Sequence, residues 1–454
     1  MMANSYVRDV QGPTTQAQRW WYSLGNLGCA IPYQAVGAAL LFFYSDVRHL
    51  APEWAAAVMT GYSIYNAINN PLMGYISDRT RSRWGRRIPF ILFGTLPYAL
   101  LFAALFSAPF DGREQPIALL IYFAAALFLF ETLATVVQTA YYALLPEMFR
   151  DYGERTDTAV RMNIFMTVGL LIGAALPVML ADWMGWPAMG ALFGVISAAA
   201  LYGSTRGMFE HVRSVEAEAV PLRVALRATL VNRSFVTVVV AQTMRHFGTA
   251  TLTAGMAFYT KYSLGADPGT TSLILGTAFV AAGLALWPWR ELVAKRLEAR
   301  TTLMIAYGLL AVAVIPLAFV KGLTGALMTS VLLGVALAGL ILMGDVILSD
   351  VIDEDEVQTG QRREGMYFGM SGLIIQIAYA LSAVVFGWFA SLYGYNPQLT
   401  VQPETVNVGF RMFMSVPPAI GAVLAVAALF FYPLHGARLR RVKAALAERA
   451  GAEQ

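Results

Sequence analysis

The chain has 454 residues, 57% of them hydrophobic and only 13% charged, with a formal net charge of +4. A soluble domain carries about a quarter charged residues, so at a mean hydropathy of +0.57 most of this surface faces something other than water. The small positive balance reflects basic loops rather than a nucleic-acid patch, and the single cysteine, Cys29, excludes an intrachain disulfide and a cysteine-based metal site.

Apolar runs, separated by charged, proline or glycine breaks, give twelve spans of the ~20 residues a bilayer requires. They fall at roughly 19–45, 54–77, 88–108, 117–145, 157–181, 185–207, 234–262, 270–289, 301–320, 324–348, 365–394 and 405–433. The expected fold is an all-α integral membrane protein, with twelve transmembrane helices in two six-helix pseudo-repeated bundles. The polar start, Met1 to Arg19, lacks the short apolar core and cleavage site of a signal peptide, so the first span is expected to stay in the mature protein.

The longest polar interval, Met208 to Arg233, carries Glu210, Arg213, Glu216 and Glu218. It reads as a cytoplasmic linker (208–233) between an N-terminal bundle, 1–207, and a C-terminal bundle with its tail, 234–454. Lys and Arg crowd the loops after spans 2, 4, 6, 8 and 10 and the tail, whereas the opposite loops carry only Arg48, Arg113, Lys261, Lys321 and Arg411. This asymmetry predicts both termini on the cytoplasmic side of the cell's inner membrane. Two like-oriented halves predict a parallel repeat with a substrate site between them near mid-bilayer.

Polar groups within the spans are functional candidates, because burying them in lipid is costly. Span 2 holds Asn66, Asn69 and Asn70, whose spacing puts three amides on one helix face. They serve either as cation or solute ligands or as hydrogen-bond glue between helices. Span 4 carries Glu131, Thr135 and Gln138 on one face, with Tyr142 a turn further on. Arg161 opens span 5 and either binds substrate or pairs internally with Glu131 or Asp157. Span 7 holds Arg245 and His246, and span 10 holds Asp345, which either carries a proton or pairs with Arg245.

The loop after span 2 places Gly74, Asp78, Arg79, Arg83, Gly85, Arg86 and Arg87 in the order G-x-x-x-D-R-x-x-x-R-x-G-R-R. It resembles the corresponding loop of the major facilitator superfamily, where such a cluster locks one conformation of a rocking carrier. The loop after span 10, with Asp350, Asp353, Glu356, Arg362 and Arg363, is similar to that of the glycoside–pentoside–hexuronide:cation symporters. So are Phe43 to Val47 closing span 1, Tyr142 to Glu147 closing span 4, and the following Glu154, Arg155 and Arg161.

The resemblance implies a polar cavity with most of its charge removed. The family's cation-binding aspartates match Asn66 and Asn70, its sugar-facing aspartates match Ala30 and Gln138, and its span 11 lysine matches Gln376. Gln34, Gln138, Tyr142, Arg161, Gln376 and Tyr379 become substrate-binding candidates, with Tyr33 and Tyr141 as further stacking surfaces. Asn66, Asn69, Asn70, Glu131, Thr135 and Asp345 become candidates for coupling to sodium or a proton. Asp350, Asp353 and Glu356 are expected to lock against Arg362 or other loop arginines.

The expected function is secondary transport of a sugar, glycoside or related small polar solute, by a monomer with no cofactor beyond a coupling Na+ or H+. An amphipathic-lipid cargo is the alternative, because Pro32 to Gln34, Phe130 to Thr132 and Arg161-Met162 also resemble the lysophosphatidylcholine symporter branch. A membrane enzyme or receptor without transport is a third class. It finds no support in H-E-x-x-H, G-x-S-x-G or G-K-[ST] motifs, none of which occurs.

Overall fold

The structure is a computed structural model and describes residue 6 and residues 14–80, 82–149, 151–210, 229–360 and 363–452. Among these, twelve long helical rods precede a shorter tail helix. They are α1 (Gln16–Ala35), α2 (Pro52–Arg79), α3 (Ile88–Leu105), α4 (Pro116–Met148), α5 (Tyr152–Leu170) and α6 (Trp186–Ser204). Then follow α7 (Arg233–Phe258), α8 (Pro268–Pro288), α9 (Ala299–Ala313), α10 (Leu323–Thr359), α11 (Glu364–Leu392), α12 (Glu404–Phe430) and the tail helix α13 (Ala437–Ala452). Wider π turns extend several rods, as at Val36–Leu40 after α1 and Leu171–Ala175 after α5.

Local chemistry sets where the rods begin. Thr15 and Gln18 form a reciprocal capping box at the start of α1, and Asp151 and Asn232 accept the first backbone N–H groups of α5 and α7. Proline stands in the first turn of α2, α3, α4 and α6, where a missing N–H costs nothing.

Nine of the described helices are long and apolar enough to cross a bilayer. The other three of the expected twelve, α1, α2 and α7, have the length but dilute their apolar character with polar residues turned inward. In α2, Ile64, Ile68 and Leu72 form an exposed stripe at four-residue spacing, while Tyr62, Asn66 and Asn69 on other faces are buried. Apolar side chains outside and amides inside are what a helix shows when lipid is its solvent.

The chain packs as two compact units. Unit 1 comprises Met1–Ala217 with Ala266–Ser272 and Tyr395–Gln402, and unit 2 comprises Glu218–Gly265, Leu273–Gly394 and Pro403–Gln454. In unit 1 the main helix pairs are α1–α6, α1–α5, α3–α6, α3–α4 and α2–α4. In unit 2 they are α7–α12, α7–α11, α9–α12 and α9–α10. Advancing each helix of the first four pairs by six reproduces the second set, so the internal repeat that is faint in sequence is plain in the packing.

Small residues let the backbones approach. A Cβ on Gly173 would lie 2.4 Å from the Ile31 carbonyl oxygen, and one on Gly334 would lie 2.2 Å from that of Ala278. Within unit 1, the Tyr395 hydroxyl also donates to Asp46 at 3.0 Å, and Gln398 Nε2 to the His49 carbonyl at 3.0 Å.

Candidate functional site

In unit 1 the polar groups of α2 and α4 come together as the helical spacing requires. Glu131 is only 4% exposed. Thr135 Oγ1, one turn along α4, donates to its Oε1 at 3.3 Å, and Tyr62 of α2 hydrogen-bonds the same carboxyl group. Nearby on these helices, Tyr65 OH and Thr132 Oγ1 lie 2.7 Å apart. No basic side chain pairs with Glu131 among the described residues. The expected alternative of a Glu131–Arg161 pair is therefore not formed.

The span 2 amides divide. Asn70 is exposed, and its Nδ2 donates to the buried Asn66 Oδ1 at 2.6 Å. Asn69 is 3% exposed, and its Nδ2 has no hydrogen-bond partner among the described residues. Asn66 and Asn70 thus share one bond within their helix, whereas two carboxylates so placed would repel unless a proton or cation joined them.

Arg161 forms the internal pair with Asp157 and also donates to Gln16, with its guanidinium 5.1 Å from the Trp20 ring centroid. Arg19 joins the cluster, reaching Asp157 at 2.8 Å and Glu154 at 2.7 Å. This braces the start of α1 against the start of α5. Tyr142 is half exposed and donates to Asn26 Oδ1 at 2.7 Å, while Asn26 donates to the Met162 carbonyl at 2.8 Å.

Tyr141 is a correction to the stacking candidates. It is fully buried, its ring lies 4.9 Å from that of Tyr22, and the two hydroxyls exchange bonds with each other's carbonyls at 2.7 and 2.9 Å. Packing, not access, is its role. Gln34 and Gln138 are half-buried and Tyr33 is exposed. Ala30 is buried against α5, where a Cβ added to Gly169 would lie 2.6 Å from the Ala30 methyl, so the two helices approach closely here.

In unit 2, Arg245 Nη2 lies 2.9 Å from His246 Nε2, and Tyr379 OH lies 3.2 Å from His246 Nδ1. The Arg245–Asp345 pair expected as one reading is absent. Asp345 is exposed on α10, and its neighbour Gly344 is the residue that nears the Arg245 guanidinium, at 3.9 Å from a Cβ position. Gln376 is half-buried on α11.

The loop motifs find partners the sequence did not point to. Arg362 and the side chains of Asp78 and Arg79 lie outside the described residues, and Gly74 is described by its helical backbone alone. Arg83 stacks on Trp84 with its guanidinium 4.0 Å from the ring centroid. Arg86 and Arg87 both reach Glu147 at the end of α4, Arg87 at 2.7 Å.

Asp350 and Asp353 pair with Lys443 of α13 at 2.6 and 2.8 Å, and the expected partner Arg362 lies outside the described residues. Glu354 sits 2.6 Å from Arg438 of α13 and accepts from Ser234 Oγ at 2.6 Å. Arg363 binds Asp355 through two bonds of 2.6 and 2.9 Å. Glu356 is half-buried near this cluster. Glu147 entered only as part of the span 4 resemblance, and Arg438 and Lys443 were not singled out, because each meets its partner through tertiary packing.

Long apolar helices paired alike in two units, with a few polar groups turned inward, define a polytopic membrane carrier. The comparisons with known proteins agree. A family model described as MFS/sugar transport protein matches residues 21–436. An uncharacterized symporter of Synechocystis is 34% identical over a match that covers 46% of this chain and 41% of that protein.

The isoprimeverose transporter of Lactiplantibacillus pentosus is 23% identical, over 92% of this chain and 88% of its own. The inner membrane symporter YicJ of Escherichia coli is 25% identical over 94% of each. Among solved structures, one from work on proton-dependent oligopeptide transporters aligns with a TM-score of 0.68 at 12% identity, covering 94% of this chain and 100% of that one. The chain belongs to the MFS/sugar transport protein family, alongside symporters of the glycoside–pentoside–hexuronide type, and it is a membrane transporter rather than an enzyme.

Proposed function

We propose that this chain carries a sugar, glycoside or related small polar solute by alternating access across the inner membrane, and that it couples to protons through Glu131 rather than to sodium. The observation that carries the coupling is the setting of Glu131. It is buried, and its partners Tyr62 and Thr135 are hydroxyls. Among the described residues no basic side chain faces it, so a proton is the counter-charge available to it.

A sodium ion needs several oxygen ligands and negative charge. Asn66 and Asn70 supply oxygen without charge, and they already bond each other. The relatives' names support a sugar-class cargo, one of them being an isoprimeverose transporter. Both termini sit on the cytoplasmic side in this reading, and the carrier works as a single chain.

The test is uptake of labelled disaccharides, pentosides and glucuronides into proteoliposomes, with lysophosphatidylcholine as a parallel cargo. Saturable uptake of a glycoside supports the reading. Uptake of the lysolipid alone assigns the chain to the lipid-carrying branch instead.

A further inference from the structure

Just past α6 the chain turns through Thr205–Gly207 and reaches Glu210. Glu210 is 7% exposed, and its backbone N–H donates to the Tyr6 carbonyl at 2.8 Å. Its carboxylate does not point to water. It accepts three consecutive backbone N–H groups of the motif loop, those of Arg86 at 2.7 Å, Arg87 at 2.8 Å and Ile88 at 3.0 Å. Those of Arg87, the N-cap, and Ile88 are donors that the start of α3 leaves unpaired, that of Arg86 comes just before it, and Arg87 supplies no side-chain cap of its own.

The adjacent Gly85 has φ +107°, and a Cβ there would lie 2.5 Å from Glu210 Oε1. The motif glycine is thus required twice, for its backbone angle and to admit this carboxylate. Beyond the seat, the guanidinium groups of Arg86 and Arg87 converge on the other carboxylate, Glu147. Two residues are therefore held at both ends, their backbones by one anion and their side chains by another.

We propose that Glu210 is the positioning residue of the motif loop, an internal anion that fixes the backbone of residues 86–88 so that Arg86 and Arg87 reach Glu147, and that it thereby sets the rate of the conformational step. This rests on the reading of the loop as a conformational lock in a carrier. Binding of solute is not its role, so its loss slows turnover and leaves the apparent affinity alone.

The test uses the full chain in proteoliposomes and the glycoside best taken up in the panel above. Glu210→Ala is expected to lower Vmax about tenfold, the scale of a lost set of charge-assisted bonds, with KM changed by less than about twofold. Adding formate, a small carboxylate that fits the vacated seat, is expected to restore at least half of the lost rate and to raise the thermal midpoint of Glu210→Ala but not of the unaltered chain. Glu210→Gln keeps the shape and one acceptor oxygen, so it is expected to fold and to fall between the two.

Glu147→Gln tests the lock itself and is expected to slow transport with no response to formate. If Glu147→Gln is slow while Glu210→Ala transports normally, the positioning role is wrong and the lock stands. If neither variant slows transport, the lock reading fails. A slow Glu210→Ala that formate leaves slow reduces Glu210 to a structural cap and overturns the proposal.

Discussion

Thr135 Oγ1 donates to Glu131 Oε1 at 3.3 Å across one turn of α4, so the lone buried carboxyl of this helix face is held by a neutral group. If that carboxyl carries the coupling proton, Glu131→Gln separates coupling from passage. With one proton per solute, a gradient of one pH unit sustains about a tenfold concentration ratio, the factor that ~1.4 kcal/mol represents. The variant is expected to bring the ratio to about one, while exchange of labelled for unlabelled solute continues. Proteoliposome accumulation and counterflow measure the two separately.

The amide pair on α2 predicts a gain of function. Replacing Asn66 and Asn70 together by aspartate restores two carboxylates at positions that touch through a 2.6 Å bond. Two like charges so close repel unless a proton or cation joins them. Sodium is expected to raise the thermal midpoint of the double variant and to stimulate its uptake, with little effect on the unaltered chain. Absence of any sodium response in the double variant would show that more than missing charge separates this chain from the sodium symporters.

Helix packing in unit 2 gives a stability prediction. Gly334 of α10 brings its backbone against α8, with a Cβ position 2.2 Å from the Ala278 carbonyl oxygen. Gly334→Val cannot be accommodated without moving one helix, and overpacking of this kind costs about 1–3 kcal/mol. Gly308→Val, where nothing lies within 4 Å of the added Cβ, is the control and is expected to be nearly neutral. Thermal midpoints in detergent decide between them.

The loop before α4 has a pH signature. Burial works against ionisation of Asp111, but the backbone N–H of Arg113 and the His49 ring, 3.0 Å away, outweigh it and hold Asp111 below the usual carboxylate range. A lowered folded-state pKa means stability that is complete above the unfolded value, about 4 for an aspartate, and lost as pH falls through the folded one. Asp111→Asn is therefore expected to destabilise the chain at neutral pH and to narrow the gap to the unaltered chain below about pH 4. Midpoints measured across pH 3 to 7 check the sign.

Much of the architecture is legible from hydropathy. The helical rods follow the apolar runs, because in lipid only helices satisfy every backbone group locally. The repeat was weak in sequence and clear in packing, since pairs such as α1–α6 and α7–α12 share geometry rather than residues. Amide and carboxylate clusters within one helix, such as Asn66 with Asn70 and Glu131 with Thr135, were readable from four-residue spacing.

Partners contributed by distant helices were not. Arg161 had open alternatives; Asp157 lies one turn before it on α5 and follows from four-residue spacing, whereas Gln16 of α1 is supplied only by packing. The acidic run of α10 offered no sign that its counter-charges, Arg438 and Lys443, come from the tail helix. Glu210 reads as one more charge in a polar linker, and only the fold brings it to the N–H groups of Arg86, Arg87 and Ile88 where the motif loop enters α3.

The most direct measurement of the central claim is glycoside accumulation in proteoliposomes under an imposed inward proton gradient and, separately, an inward sodium gradient, with the membrane potential clamped. Proton coupling through Glu131 predicts accumulation driven by the proton gradient, abolished by Glu131→Gln, and little response to sodium. Strong accumulation driven by sodium alone, with Glu131→Gln unaffected, would contradict it.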